Sequence, residues 1–387
     1  MIFKSLYLCL WVCSLGCKRS RNGLRMAAVA FCCVLLQNIA FAQSVVFINP
    51  GKSDEAFWVA ASDGMQKAAQ SLGMHLTVLY AERNRLEPIE IAKRLAAQPA
   101  AQRPRYVIFT NDYSVAPGVL RALDGSGIEA LMAFSGIQDA LRNQVGKPRE
   151  RYAFWLGSLE PNAQEAGYLT AKSLIEKARA QTLSRGPQTG RMHMVAIAGD
   201  RSTPSSMARN AGMRRAVQEA ADVVLEQEVY GEWRRDKAQE QAQVLFRRYT
   251  QARLVWAGSD QMALGAMSAW EQRGGKVGVD AFFSGINTSA EAFEALANGR
   301  LSALAGGHFL AGAWAMVMLF DHSKGIDFVD QGVELQQNMF TLFDANSAER
   351  FNQRFTFQAQ PLDFKPFTKF HTPGLERYDF DLAKLLR

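Results

Sequence analysis

The 387-residue sequence predicts an α/β fold of two lobes, each a doubly wound parallel sheet with helices on both faces. Three observations lead there. Short runs rich in β-branched and aromatic residues alternate with longer stretches whose apolar residues recur every three or four positions, the pattern of strand and crossover helix. The alternation stops once, at the charged segment 141–151 with Gly146 and Pro148, and then resumes. The 345 residues after position 42 suffice for about two domains of roughly 150 residues each.

In chain order, residues 44–49 read as a buried strand, and Trp58, Ala61, Met65, Ala68 and Leu72 then recur at helical spacing until Gly73. Residues 75–80 form the next strand. A helix begins at Glu87-Pro88, with proline in the first turn, where its missing N–H costs nothing. Runs 105–110 and 128–134 continue the series. Beyond the break, strands are expected at 192–198, 223–230, 254–257 and 282–286, and helices at 161–179, 204–221, 235–250 and 260–272. Pro161 and Pro204 each read as opening a helix, the second behind the capping pair Ser202 and Thr203. After residue 342 the rhythm fails: 350–357 and 363–370 are aromatic and basic, and Tyr378 and Phe380 follow. Scattered phenylalanines read as a strap packed onto the lobes, with a partner-docking tail as the alternative.

Residues 1–42 hold all five cysteines, five basic residues and no acidic ones, in a chain of 44 basic and 37 acidic residues. The apolar segment 26–42 follows Lys18, Arg19, Arg21 and Arg25 and ends in Ala40-x-Ala42. It is expected to be a signal peptide cleaved after Ala42, with an uncleaved anchor as the alternative. The earlier apolar stretch 6–17 reads as an over-extended start or a second anchor. The expected exported product carries 39 basic and 37 acidic residues and no cysteine. A thiol catalyst, a disulfide framework and a cysteine metal site are thereby excluded, and near-neutrality argues against a nucleic-acid partner.

Sequence signatures of enzymes are missing after residue 42. There is no phosphate-binding G-x-x-x-x-G-K-[ST], no H-E-x-x-H, no G-x-S-x-G and no G-x-G-x-x-G. His75, His193, His308, His322 and His371 have no short metal-ligand spacing. No catalytic residue, metal or cofactor is expected. Aromatic, amide, hydroxyl and basic residues do gather just past strand ends, where open α/β sheets bind ligands: Phe57 and Trp58, Arg209, Trp233, Ser259 and Asn287. Adjacent helical positions point about 100° apart, so Phe57 and Trp58 cannot share one narrow core stripe, and at least one should border a cleft. Asp260 reads as the N-cap of a helix starting at Gln261, and Asn287 as either a cleft residue or a cap.

Three segments in order carry a resemblance: Phe57-Trp58 with Asp63-Gly64 and Leu72-Gly73, then Arg209-Asn-Ala-Gly212, then Asp260-Gln-Met-Ala-Leu-Gly265. Over residues 44–342 the chain resembles the type I periplasmic binding proteins of the ribose- and galactose-binding class. The resemblance implies two lobes joined by three crossovers and closing on a ligand. It divides the chain into a lobe of 43–157 plus 308–340 and a lobe of 158–307 plus 341–387. It implies that Phe57 and Trp58 stack on a sugar, Arg209 bonds hydroxyls and Trp233 closes the pocket. Where the family carries asparagine, aspartate, an Asp-Arg pair and glutamine, this chain has Ser259, Asn287, Phe134-Ser135 and Gly307-His308. A carboxylate accepts several hydroxyl protons, so losing two such positions points to a less hydroxylated or an anionic ligand. The function implied is a monomeric periplasmic solute-binding protein that passes a small polar ligand to an inner-membrane ABC permease. The alternative is a sensor whose closed state is read by a membrane receptor or histidine kinase.

Overall fold

Strand β1 (Ser44–Asn49) shows how the sequence builds the first sheet. Val45 and Phe47 face one apolar cluster and Val46 and Ile48 another, so the run is apolar throughout instead of alternating. A central parallel strand covered by helices on both faces requires this. The structure, a computed structural model, describes residues 43–181, 190–355 and 361–385. The expected signal peptide and its cleavage site lie outside the described residues. No helix among the described residues is long and apolar enough to cross a membrane.

The first sheet adds β2 (His75–Tyr80), β3 (Tyr106–Phe109), β4 (Glu129–Ala133), β5 (Trp155–Pro161) and β11 (Glu334–Gln337), in the order β11-β5-β4-β3-β1-β2, all parallel. The second contains β6 (Met192–Ala198), β7 (Val223–Tyr230), β8 (Leu254–Ala257), β9 (Phe282–Ile286) and β10 (Ala303–Gly306), with the short β12 (Thr341–Leu342) antiparallel on its edge. The expected two-lobed α/β architecture is what forms.

Helices α1 (Ala56–Leu72), α2 (Glu87–Ala97), α3 (Ala116–Leu123) and α4 (Asp139–Val145) follow the first four strands of the first lobe. Helices α5 (Ala163–Arg179), α6 (Pro204–Glu219), α7 (Arg235–Arg248), α8 (Asp260–Gln272) and α9 (Ala290–Ala297) belong to the second. Helix α1 buries the expected stripe of Trp58, Ala61, Met65, Ala68 and Leu72, and Gly73 ends it at φ 67°, a conformation open to glycine. Helices α5 and α6 press together backbone to backbone. A Cβ on Gly167 would lie 1.9 Å from the Arg209 carbonyl oxygen, and one on Gly212 would lie 1.9 Å from that of Gln164.

Two local expectations are corrected. Pro161 closes β5 instead of opening a helix, pairing in register with Gln337, and Asn162 caps α5 by accepting from the Glu165 N–H at 3.2 Å. The cap of α8 is Ser259, whose Oγ accepts from the Met262 N–H at 3.3 Å; Asp260 is the helix's first residue.

The chain passes between lobes after β5, between β10 and α10 (Ala311–Ser323), and between β11 and β12, as the resemblance implies. It then passes once more. Helix α11 (Ala345–Phe355) stays with the second lobe, Phe351 packing on Phe293 at 5.0 Å. Residues 361–385, which the sequence reading placed with the second lobe, pack instead on the first. Trp314 of α10 is buried against Phe364, Phe367 and Phe380, the last stacked at 5.1 Å. Asp321, also buried, accepts from the N–H groups of Lys369 at 2.7 Å and Phe370 at 3.0 Å and from the Tyr378 hydroxyl at 3.0 Å. The physical reason is that α10 is apolar on every side and needs a second cover beyond the sheet.

Candidate ligand cleft

The carboxyl ends of both sheets face a common cleft, and the backbone there is unusual. Of nine non-glycine residues with left-handed φ among the described residues, eight follow a strand at the cleft: Glu82 and Arg83 after β2, Tyr113 and Ser114 after β3, Phe134 after β4, Glu232 and Trp233 after β7, and Asn287 after β9. Such conformations cost of order 1–3 kcal/mol each in ordinary residues and persist where the surroundings impose them, which is most often at functional sites. They turn each chain sharply off its strand, and Arg83, Phe134, Trp233 and Asn287 among them line a cavity of ≈ 140 Å³.

The first lobe supplies an aromatic wall and a charged cluster. Trp58 lies edge to face with Phe57 at 5.0 Å and with Phe134 at 5.2 Å. Gly51 lets the loop after β1 rest on the indole, since a Cβ there would come within 2.0 Å of Trp58 Cδ1. Arg83 is gripped by both oxygens of Glu55, its Nε donating at 2.8 Å, and its Nη1 lies 3.9 Å from Asp112. Burial, opposed by Arg83 and reinforced by Asp200 across the cleft, pushes the Asp112 carboxyl up to about 6.

The second lobe supplies donors. The Arg209 guanidinium is buried, donating to the Gly258 carbonyl at 2.7 Å and to His308 Nε2 at 2.8 Å, and burial pulls its pKa down to about 10. Arginine has only donors, so His308 Nε2 must accept and the ring proton sits on Nδ1. Burial, with the Arg209 charge beside it, lowers the His308 pKa well below its ordinary value and keeps the ring neutral. That ring is stacked between Phe57 at 4.8 Å and Phe340 at 4.3 Å. Trp233 donates its indole N–H to Asp200 at 2.6 Å, and Gly199 leaves the room it lies in. Asp260 accepts from Asn287 Nδ2 at 3.0 Å and from the Ser289 N–H at 3.0 Å, holding Asn287 at φ 108°. Ser289, not Asn287, caps α9, accepting from the Ala292 N–H at 3.4 Å.

Eight of the nine predicted site residues line the cavity: Phe57, Trp58, Phe134, Arg209, Trp233, Ser259, Asn287 and His308. Ser135 does not. Its hydroxyl accepts from the Asn111 N–H at 2.9 Å and donates to Asp112 at 3.3 Å, so it supports a lining residue. Sequence reasoning missed Glu55, Arg83 and Asp112. The signal available was a turn-forming pair, Asn111-Asp112, directly behind a strand. The strand end that carries Phe134-Ser135 lacks a carboxylate and an arginine, while neighbouring strand ends bring Asp112 and Arg83 to the cavity.

Residues 45–327 match the family described as the periplasmic binding protein domain. Among solved structures, a periplasmic sugar-binding protein from Pseudomonas fluorescens is 38% identical with a TM-score of 0.79, over 89% of this chain and 100% of that one. The binding protein of an arabinose ABC transporter from Shewanella sp. ANA-3, bound to arabinofuranose, is 18% identical with a TM-score of 0.65, over 81% and 96%. A Caulobacter myo-inositol binding protein is 20% identical with a TM-score of 0.64, over 80% and 95%. Both share the fold. No curated protein matches the sequence.

Proposed function

Because the chain belongs to the periplasmic binding protein family, whose members bind solutes and are not enzymes, we propose that it captures one monosaccharide-sized polyol between its lobes and delivers it to an ABC permease. The observation that carries this reading is a cavity of ≈ 140 Å³ walled by aromatics on one side and by Asp112, Arg83, Arg209 and Asn287 around the rest. Its volume corresponds to on the order of ten waters, the size of a single pentose or hexose. Trp58, Phe57 and Phe134 meet the sugar's C–H faces. Ionised Asp112 accepts hydroxyl protons, while Arg83, Arg209 and Asn287 donate to hydroxyl oxygens. Ligand contacts to both lobes stabilise the closed state by differential affinity. The Shewanella relative is itself a transporter component, which supports transport over sensing.

A thermal-shift panel of D-ribose, L-arabinose, D-galactose, D-allose, myo-inositol and D-galacturonate against residues 43–387 tests the reading. A ligand present at about a thousand times its Kd should stabilise the chain by roughly 4 kcal/mol, a rise of several degrees. The double variant Trp58→Ala, Arg209→Ala should lose the shift. If no neutral sugar or polyol raised Tm, or if the double variant bound unchanged, the cleft would be misassigned.

A further inference from the structure

On the reading that the cleft holds a monosaccharide-sized polyol, we infer that its ligand is a 6-deoxy sugar whose methyl group lodges in an aromatic corner of the first lobe. Hydrogen-bonding capacity is divided unevenly around the cavity. Among the lining residues of the first lobe, Ala56, Phe57, Trp58, Ala60 and Phe134 are apolar. The charged ones form a single cluster, in which Glu55 is already spent on Arg83 and Asp112 lies beside it. On the second lobe the lining side chains keep spare capacity. Ser259 Oγ accepts from the Met262 N–H and still has its own proton to give. Asn287 donates Nδ2 to Asp260, which leaves Oδ1 to accept. A ligand with hydroxyls on every side is therefore matched along one side and at one end, and unmatched where the aromatic rings stand.

Those rings make a corner. Phe57 stands at 82° to Trp58 and 78° to Phe134, and Trp58 at 67° to Phe134, with centroids 5.0, 6.3 and 5.2 Å apart. The C–H face of a sugar lies on a flat plate, whereas rings set this steeply enclose a rounded apolar end. Trp58 turns its Cδ1–Cγ edge to the loop at Gly51, so the corner offers carbon and C–H. A hydroxyl pressed into it finds no partner, which is costly, while a methyl exchanges water for carbon contacts.

Phe134 completes the corner, and the backbone is strained to keep it there. Its φ is 69°, a region that bulky residues rarely adopt. The ring is fixed from behind, stacked on Phe47 at 5.9 Å and seated over Gly312, where a Cβ would come within 3.0 Å of Phe134 Cζ. Asparagine would take the same backbone conformation more cheaply and would offer hydrogen bonds to a ligand. A phenylalanine held at this cost in the cavity wall points to discrimination against a hydroxyl.

Sugars that differ by one oxygen provide the test. D-fucose is compared with D-galactose, L-fucose with L-galactose, L-rhamnose with L-mannose and 6-deoxy-D-glucose with D-glucose, by calorimetric titration of residues 43–387. At least one 6-deoxy sugar should bind more tightly than its parent by about five- to a hundredfold, the effect of one unpaired buried hydroxyl. Phe134→Asn, whose side chain suits φ 69° and gives the corner a donor and an acceptor, should shrink that ratio severalfold. The ratio in the parent protein needs no variant, so it decides the matter even if Phe134→Asn fails to fold. Parent sugars, or panel sugars without the methyl, that bound as tightly as every 6-deoxy sugar would overturn the corner and leave the polyol reading intact. An unchanged ratio in folded Phe134→Asn would overturn it too. If no sugar of these pairs and no member of the earlier panel bound, the polyol reading itself would fall, and the corner with it.

Discussion

The contact of α5 with α6 lends itself to a quantitative test, because it carries Arg209 into the cleft. In Gly167→Ala the new methyl would sit 1.9 Å from the Arg209 carbonyl oxygen and 2.7 Å from its carbon, where ordinary contact begins at 3.4 Å. Both obstacles are backbone, so no rotamer change relieves them, and the helices must part by about 1.5 Å. Overpacking of this kind costs on the order of 2–4 kcal/mol. The same displacement defeats bonds of 2.7 and 2.8 Å from the Arg209 guanidinium, so sugar binding should weaken along with stability. Gly212→Ala, whose methyl would meet the Gln164 oxygen at 1.9 Å, should cost a similar amount. Once either methyl has parted the helices, the second enters space already opened. The double variant should then cost little more than one single, a coupling of roughly 2 kcal/mol. Urea unfolding of the parent, both singles and the double measures every term. A Gly167→Ala protein within about 0.5 kcal/mol of the parent, or singles that simply add, would refute the argument.

Three further outcomes follow from the cleft. Asp112, lifted by burial to about 6, holds its proton more tightly folded than unfolded, so its charge costs stability as pH rises from about 4 through 6. Asp112→Asn should therefore gain up to roughly 3 kcal/mol over the parent at pH 7 and nothing at pH 4, with sugar affinity falling tenfold or more; denaturation and titration at both pH values check this. Ser135→Ala removes an acceptor from Asn111 and a donor to Asp112, which should cost about 1–3 kcal/mol by urea unfolding and raise the pH at which binding is lost. Gly51→Ala drives a methyl into the buried Trp58 ring, and should change near-UV circular dichroism and lower stability by about 1–3 kcal/mol.

Periodicity made the two sheets legible because central parallel strands and one-faced helices leave plain marks, as in β1 and α1. Pro161 was misread because proline suits a strand's end as well as a helix's first turn, and only the register with Gln337 decides between them. Most of the aromatic and amide lining was legible, since those residues follow strands directly. Asp112 and Arg83 were not, because which strand end brings the carboxylate depends on left-handed turns that no spacing rule encodes. The tail's phenylalanines announced burial but not against which lobe. That answer lies in α10, whose unbroken apolar surface could have been read as demanding a second cover.

Helix α10 also sets the order of events when the protein is made. Its outer face is covered by Phe364, Phe367 and Phe380, among the last residues of the chain. The first lobe begins at residue 44 but cannot complete its layers until those phenylalanines arrive. During synthesis Trp314 stays uncovered, and the lobe made first is finished last. The first lobe thus depends for its last layer on a segment that follows the whole second lobe in the chain.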